Sequence, residues 1–109
     1  MNSKIAYTVT QINNHAKSVL ENNIKHVYVK GEVSSYKRYE SGNSYFLLKD
    51  NKSEISCIIV NYNYPFKINN GENITIFGNI SIFTFKGKFQ LLVQDIYKSG
   101  AGDHLVQLS

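Results

Sequence analysis

The sequence predicts an all-β domain with an N-terminal helix, its five strands closing as a Greek-key barrel. Three observations carry that expectation. Five runs between residues 26 and 99 alternate apolar and polar residues with a period of two. Glycines sit inside two of those runs, where a missing side chain lets a strand bend sharply as a small barrel closes. One amphipathic helical stripe precedes them all.

The helix spans residues 8–24, with Val9, Ile12, Ala16, Val19, Leu20 and Ile24 recurring at three- and four-residue spacing. Thr8 with Gln11 forms a capping box, Tyr7 is expected to pack on Ile12 as a hydrophobic staple, and Asn22-Asn23 supply a stop. Segment 1–25 therefore reads as a helix bracing a barrel that occupies 26–99. Strand one puts Val27, Val29 and Val33 inward and Tyr28, Lys30, Glu32 and Ser34 outward, with Gly31 at a bend. Tyr36-Lys37-Arg38-Tyr39 and the turn signal Glu40-Ser41-Gly42-Asn43 form the connection to strand two, where Phe46 and Leu48 point inward and Tyr45, Leu47 and Lys49 outward.

Asn51-Lys52-Ser53 turns the chain into strand three, with Ile55, Cys57 and Ile59 inward. Residues 61–70 break the alternation around Pro65 and read as a loop or a single helical turn. Asn70-Gly71 then opens a long fourth strand, NITIFGNISIF, with Ile74, Ile76, Ile80 and Ile82 on one face and Gly78 at its bend. Lys86-Gly87 leads into the fifth strand, where Phe89, Leu91 and Val93 point inward. Helix, three-strand meander, irregular crossover and hairpin describe a barrel of the oligonucleotide-binding (OB-fold) type; an open sheet with the helix on one face is the alternative.

Charge and composition narrow the function. With 12 Lys+Arg against 8 Asp+Glu, the formal charge is +4 and permits a polyanionic partner. The single cysteine, Cys57, excludes an internal disulfide or a cysteine-rich zinc site and reads as a buried, inert thiol. No HExxH, CxxC or phosphate-cradling glycine loop exists, and His15, His26 and His104 are scattered, so no catalytic residue, metal or cofactor is expected. No apolar run approaches the ~18 residues of a membrane span, and MNSKIAYT lacks a signal-peptide core, so a cytoplasmic location with no membrane contact is expected.

What remains is a binding surface. In barrels of this type ligands cross strands two and three, between the 1–2 and 4–5 connections. Both connections interleave rings and cations: Tyr36, Lys37, Arg38 and Tyr39 in the first, Phe83, Phe85, Lys86 and Lys88 in the second. They are expected to border one trough. Lys30, Lys37, Arg38, Lys49, Lys86 and Lys88 would hold phosphates, while Tyr36, Tyr39, Tyr45, Phe83 and Phe85 would offer stacking platforms for single-stranded DNA. Recognition of RNA by an anticodon-binding-like barrel, and docking of a protein partner, stay open beside it.

The run VYVKGEVSSYKRYESGNSYFLLKD followed by ISCIIV resembles the N-terminal domain of the large subunit of bacterial exodeoxyribonuclease VII. Gly31-Glu32-Val33-Ser34, Ser41-Gly42-Asn43, Tyr45-Phe46, Leu48-Lys49-Asp50 and Cys57 carry the resemblance, with YTVTQINNHAKSVLE before them and Gly100 to Leu105 after. Asn43 stands where the family commonly has histidine. The resemblance implies the DNA-binding domain of a nuclease that degrades single-stranded DNA, with residues 100–109 starting a linker toward an absent catalytic region. It also implies a small helical subunit as partner of the complete enzyme.

Overall fold

The computed structural model describes residues 4–62 and 67–98. Within them run α1 (Val9–Asn23), β1 (His26–Arg38), β2 (Ser44–Lys49), β3 (Glu54–Ile59), β4 (Asn73–Phe83) and β5 (Lys88–Lys98). The strands close as a barrel in the order β1-β2-β3-β5-β4, and β4 returns to pair with the first half of β1. All pairings are antiparallel except β3 with β5, where Ser56, Cys57 and Ile58 run parallel to Gln90, Leu91 and Leu92. The Pro65 segment and residues 100–109 lie outside the described residues.

The alternation predicts the core well. Val33, Phe46, Leu48, Cys57, Ile59, Ile74, Ile76, Ile80 and Leu91 are buried inside the barrel. Burial raises the Cys57 thiol to about 12, so it stays protonated and unreactive at neutral pH. Ile68, from the irregular crossover, adds a buried side chain that no strand pattern announces. At both glycines a neighbouring strand leaves no room for a side chain: a Cβ at Gly31 would meet the Lys49 carbonyl oxygen at 2.8 Å, and one at Gly78 the Leu92 carbonyl oxygen at 2.1 Å.

Three expectations are corrected. β1 does not stop near Ser34: Ser35 adopts a left-handed conformation (φ 55) in a bulge, and pairing resumes at Lys37 opposite Tyr45 and Arg38 opposite Ser44. Tyr36, Lys37 and Arg38 are thus strand residues, not connection. Phe89 is 49% exposed rather than inward. It pairs with Ile82 beyond Ser56↔Gln90, the first β3–β5 pair, so this end of the hairpin overhangs the barrel. Tyr7 stacks on His15, 5.9 Å between ring centroids, and both Tyr7 and Ile12 remain exposed. On the outward side of β4, Ser81 is buried and donates to Glu21 of the helix at 2.7 Å.

The helix forms where expected, with both arms of the Thr8–Gln11 capping box at 2.9–3.0 Å. It braces β4 through Ser81–Glu21 and through the Asn13 amide, which donates to the Thr84 carbonyl at 3.0 Å. Leu20 packs against the core, whereas Val9, Ile12 and Val19 leave their stripe exposed.

Two carboxylates tie loops to strands. Lys98, 2.9 Å away, and the Asn69 amide hold the Glu72 carboxyl below its ordinary range. The backbone amides of Lys52 and Ser53 do the same for Asp50. Depressed folded values mean stability that is present above the unfolded values and lost as pH falls through the folded ones. The thermal midpoint is therefore expected to drop as pH falls below about 4.5, the ordinary glutamate value. Glu72→Gln should flatten that decline. A wild-type midpoint constant from about pH 6 to about pH 3 would contradict it.

Candidate nucleic-acid interface

The outward faces of β1, β2, β3 and β5 form a continuous ladder. One rung runs Lys37, Tyr45, Ile58, Leu92; the next runs Ser34, Leu47, Ser56, Gln90. Leu47, Ile58 and Leu92 are half-buried, giving a floor that is apolar along its middle and hydroxyl- or amide-bearing beside it. Sequence reasoning missed this floor beyond Leu47, because it depends on a parallel pairing between segments far apart in the chain.

At one end of the floor stands the β1–β2 turn. Tyr39 and Tyr45 meet edge to face, their centroids 5.2 Å apart. The Lys37 ammonium lies 5.3 Å from the Tyr39 ring centroid and the Arg38 guanidinium 5.5 Å from that of Tyr62. Tyr39, Glu40, Ser41 and Tyr45 line a shallow open cleft. The Glu40 carboxylate there disfavours a phosphate and suits the cleft to a base. The turn is held from outside: Asn61 donates its amide to the Asn43 side-chain oxygen at 3.2 Å, and Tyr62 donates to the Gly42 carbonyl at 2.9 Å. Asn43, the departure from the histidine common in the resembled family, thus has a positioning job here.

At the other end is the β4–β5 turn. Phe83 and Phe85 stack at 6.3 Å, Phe85 is 85% exposed, and Lys86 and Lys88 flank them in solvent. The expected common trough does not form. Because β5 runs parallel to β3, its start lies at the Glu54 end of β3, whereas the β1–β2 turn lies at the Ile59 end. The two clusters are separated by roughly 15–20 Å of strand at about 3.3 Å per residue, and they bracket the β2–β3 face instead of converging.

Three of the candidate residues stand elsewhere or are engaged. Tyr36 turns toward the core, half-buried, with its hydroxyl 2.8 Å from the Ser44 hydroxyl and its ring 6.3 Å from Phe46. Lys30 pairs across from Thr75 of β4 and faces out on the β1–β4 side, away from the floor. Lys49 is on the face but 3.9 Å from Glu32, a half-exposed pair that offsets part of its charge. Among the described residues no cluster of three His, Cys, Asp or Glu could hold a metal, and no helix is long and apolar enough to cross a membrane.

Comparison with known proteins adds to this geometry. A family described as an OB-fold nucleic acid binding domain matches residues 7–97. The exodeoxyribonuclease 7 large subunit of Clostridium botulinum is 39% identical over 101 residues, covering 88% of this chain and 25% of the relative. That of Nitratiruptor sp. is 37% identical over 99 residues, covering 88% and 24%. The chain spans about a quarter of the length of these curated relatives. Among solved structures, a replication protein A heterotrimer bound to ssDNA superposes with a TM-score of 0.59 at 11% identity, covering 72% of this chain and 61% of that one. Asparaginyl-tRNA synthetase from Pyrococcus horikoshii gives 0.59 at 13% identity over 75% and 21%. At such identities the two structures establish the fold alone.

Proposed function

This chain belongs to the family of OB-fold nucleic acid binding domains, and on that premise we propose that it grips single-stranded DNA across the outer face of β2 and β3. In this reading it presents the strand to a nuclease centre outside the segment, with the barrel (26–99) as the binding unit, 1–25 as its brace and 100–109 as the start of a linker. The relatives named as exodeoxyribonuclease large subunits support that placement, and their designation supports a smaller partner subunit.

The observation that carries the reading is the Tyr39–Tyr45 pair with the Lys37 ammonium beside it, at the edge of an apolar floor, and with Arg38 over Tyr62 at the same turn. Bases stack on the rings while the cations neutralise phosphates; Phe83, Phe85, Lys86 and Lys88 receive the strand at the far end, and Lys49 contributes less. Titration of labelled oligothymidine at increasing salt is expected to show affinity falling with a log–log slope of about −0.7 per phosphate neutralised. Lys37→Ala with Arg38→Ala should make that slope shallower by about 1.4. Absence of binding at low salt would sink the proposal. Clear preference for a matched RNA oligomer would replace it with the RNA reading. The exposed helix stripe Val9, Ile12 and Val19 favours one further role, docking of a protein partner, whose mark would be salt-insensitive association.

A further inference from the structure

A second group of rings lies on the outside of β1, β4 and β5, apart from the β2–β3 floor. His26 and Phe77 stack with centroids 5.3 Å apart and planes 18° from parallel. Tyr28 leans on Phe77 at 4.8 Å and on Tyr97 at 6.1 Å. Strand register assembles them: Tyr28 is opposite Phe77, His26 opposite Asn79, and Tyr97 opposite Thr75. Outward positions of a wet sheet face ordinarily carry polar residues. Mutual contact shields these rings only in part, since Tyr28 stays 49% exposed and His26 exposed.

The surroundings favour a polyanion over an apolar partner. Lys25 and Lys30 flank the rings in solvent, and neither stands in an ion pair among the described residues. On the acidic side, Glu72 is closed by Lys98. Asp95, opposite Phe77, accepts from the Ile96 amide at 2.9 Å and the Tyr97 hydroxyl at 3.4 Å and keeps its charge. A base rather than a phosphate therefore suits its vicinity, and the two lysines outnumber it. The group is also continuous with the proposed interface. The rung that begins at Lys37 and Tyr45 passes through Ile58 and Leu92 to Asn79 and then His26, all of them outward positions. From Lys37 that route crosses five strand spacings, about 24 Å at ~4.8 Å each, along a belt perpendicular to the strands.

We propose that His26, Tyr28, Phe77 and Tyr97, with Lys25 and Lys30, form a second stacking site for single-stranded nucleic acid. It is reached by strands long enough to continue around the barrel from the β2–β3 face. The inference rests on the proposed function, and length dependence separates the two. Anisotropy titrations would use oligothymidines of roughly five and roughly fifteen nucleotides, within the ~4–16 nucleotides spanned by single OB folds. Tyr28→Ala is expected to weaken the longer oligomer about 5- to 150-fold, the equivalent of one lost stacked base, and to leave the shorter one unchanged. Tyr28→Phe should restore wild-type binding, and Lys30→Ala should reduce the salt slope for the longer oligomer by about 0.7. If neither Tyr28→Ala nor Lys30→Ala alters binding of the longer oligomer while Tyr45→Ala weakens both lengths, the second site is overturned and the first stands. Equal losses at both lengths overturn it as well. If the wild-type chain binds neither oligomer, the proposed function itself fails.

Discussion

Gly78→Ala should cost the domain about 3 kcal/mol or more, a large part of the ~5–15 kcal/mol that holds a domain of this kind together. The methyl group would sit 2.1 Å from the Leu92 carbonyl oxygen, 3.0 Å from its carbon and 3.3 Å from the Val93 Cα. Every one of those atoms is backbone, so no rotamer change relieves the overlap. Relief requires moving β4 from β5 beside the register shift where Phe77 faces Asp95 and Gly78 faces Val93. That seam carries Ile76 and Ile80 on its inner side, both buried. Urea denaturation followed by far-ultraviolet circular dichroism measures the loss. A change below about 1 kcal/mol would show that the seam opens freely and that the steric account is wrong.

Replacing Tyr39 and Tyr45 together by alanine should weaken oligothymidine binding by about two orders of magnitude while leaving the thermal midpoint near the wild-type value. Each base-stacking ring is worth about 1–3 kcal/mol, and rings in contact lose less jointly than the sum of their separate losses. Both rings are exposed, so little core packing goes with them. Unchanged affinity in a folded double variant would remove the cleft from the binding path. Tyr36→Phe serves as the contrast: it deletes the hydroxyl that meets Ser44 and should affect stability, not binding.

Local pattern carried the elements, and long-range register carried the surprises. Thr8 with Gln11 announces the helix start, and the Ile74, Ile76, Ile80 spacing announces the inner face of β4; both need only neighbours in the chain. Ser35 gives no comparable sign: its left-handed backbone extends β1 by one bulge and swings Tyr36 onto the core, and serine seldom adopts that conformation. Phe89 fits the alternation perfectly, yet it lies one residue before the β3–β5 pairing starts at Ser56 and Gln90, and it stays exposed. The two aromatic clusters were each readable as binding-prone residues. Their placement at opposite ends of the floor follows from the direction of β5 relative to β3, which no window of either strand contains.

The parallel seam between Ser56–Ile58 and Gln90–Leu92 also sets a schedule for the chain as it is synthesised. The meander of β1, β2 and β3 can zip up early, but one border of β3 keeps its amides and carbonyls unpaired until β5 has emerged. Such a border is a template for association with other chains. Closure across this span also demands distant segments to meet, which places folding toward the slower, millisecond-to-second class. A ribosome halted before Gln90 would therefore release a half-built wall with its adhesive margin uncovered.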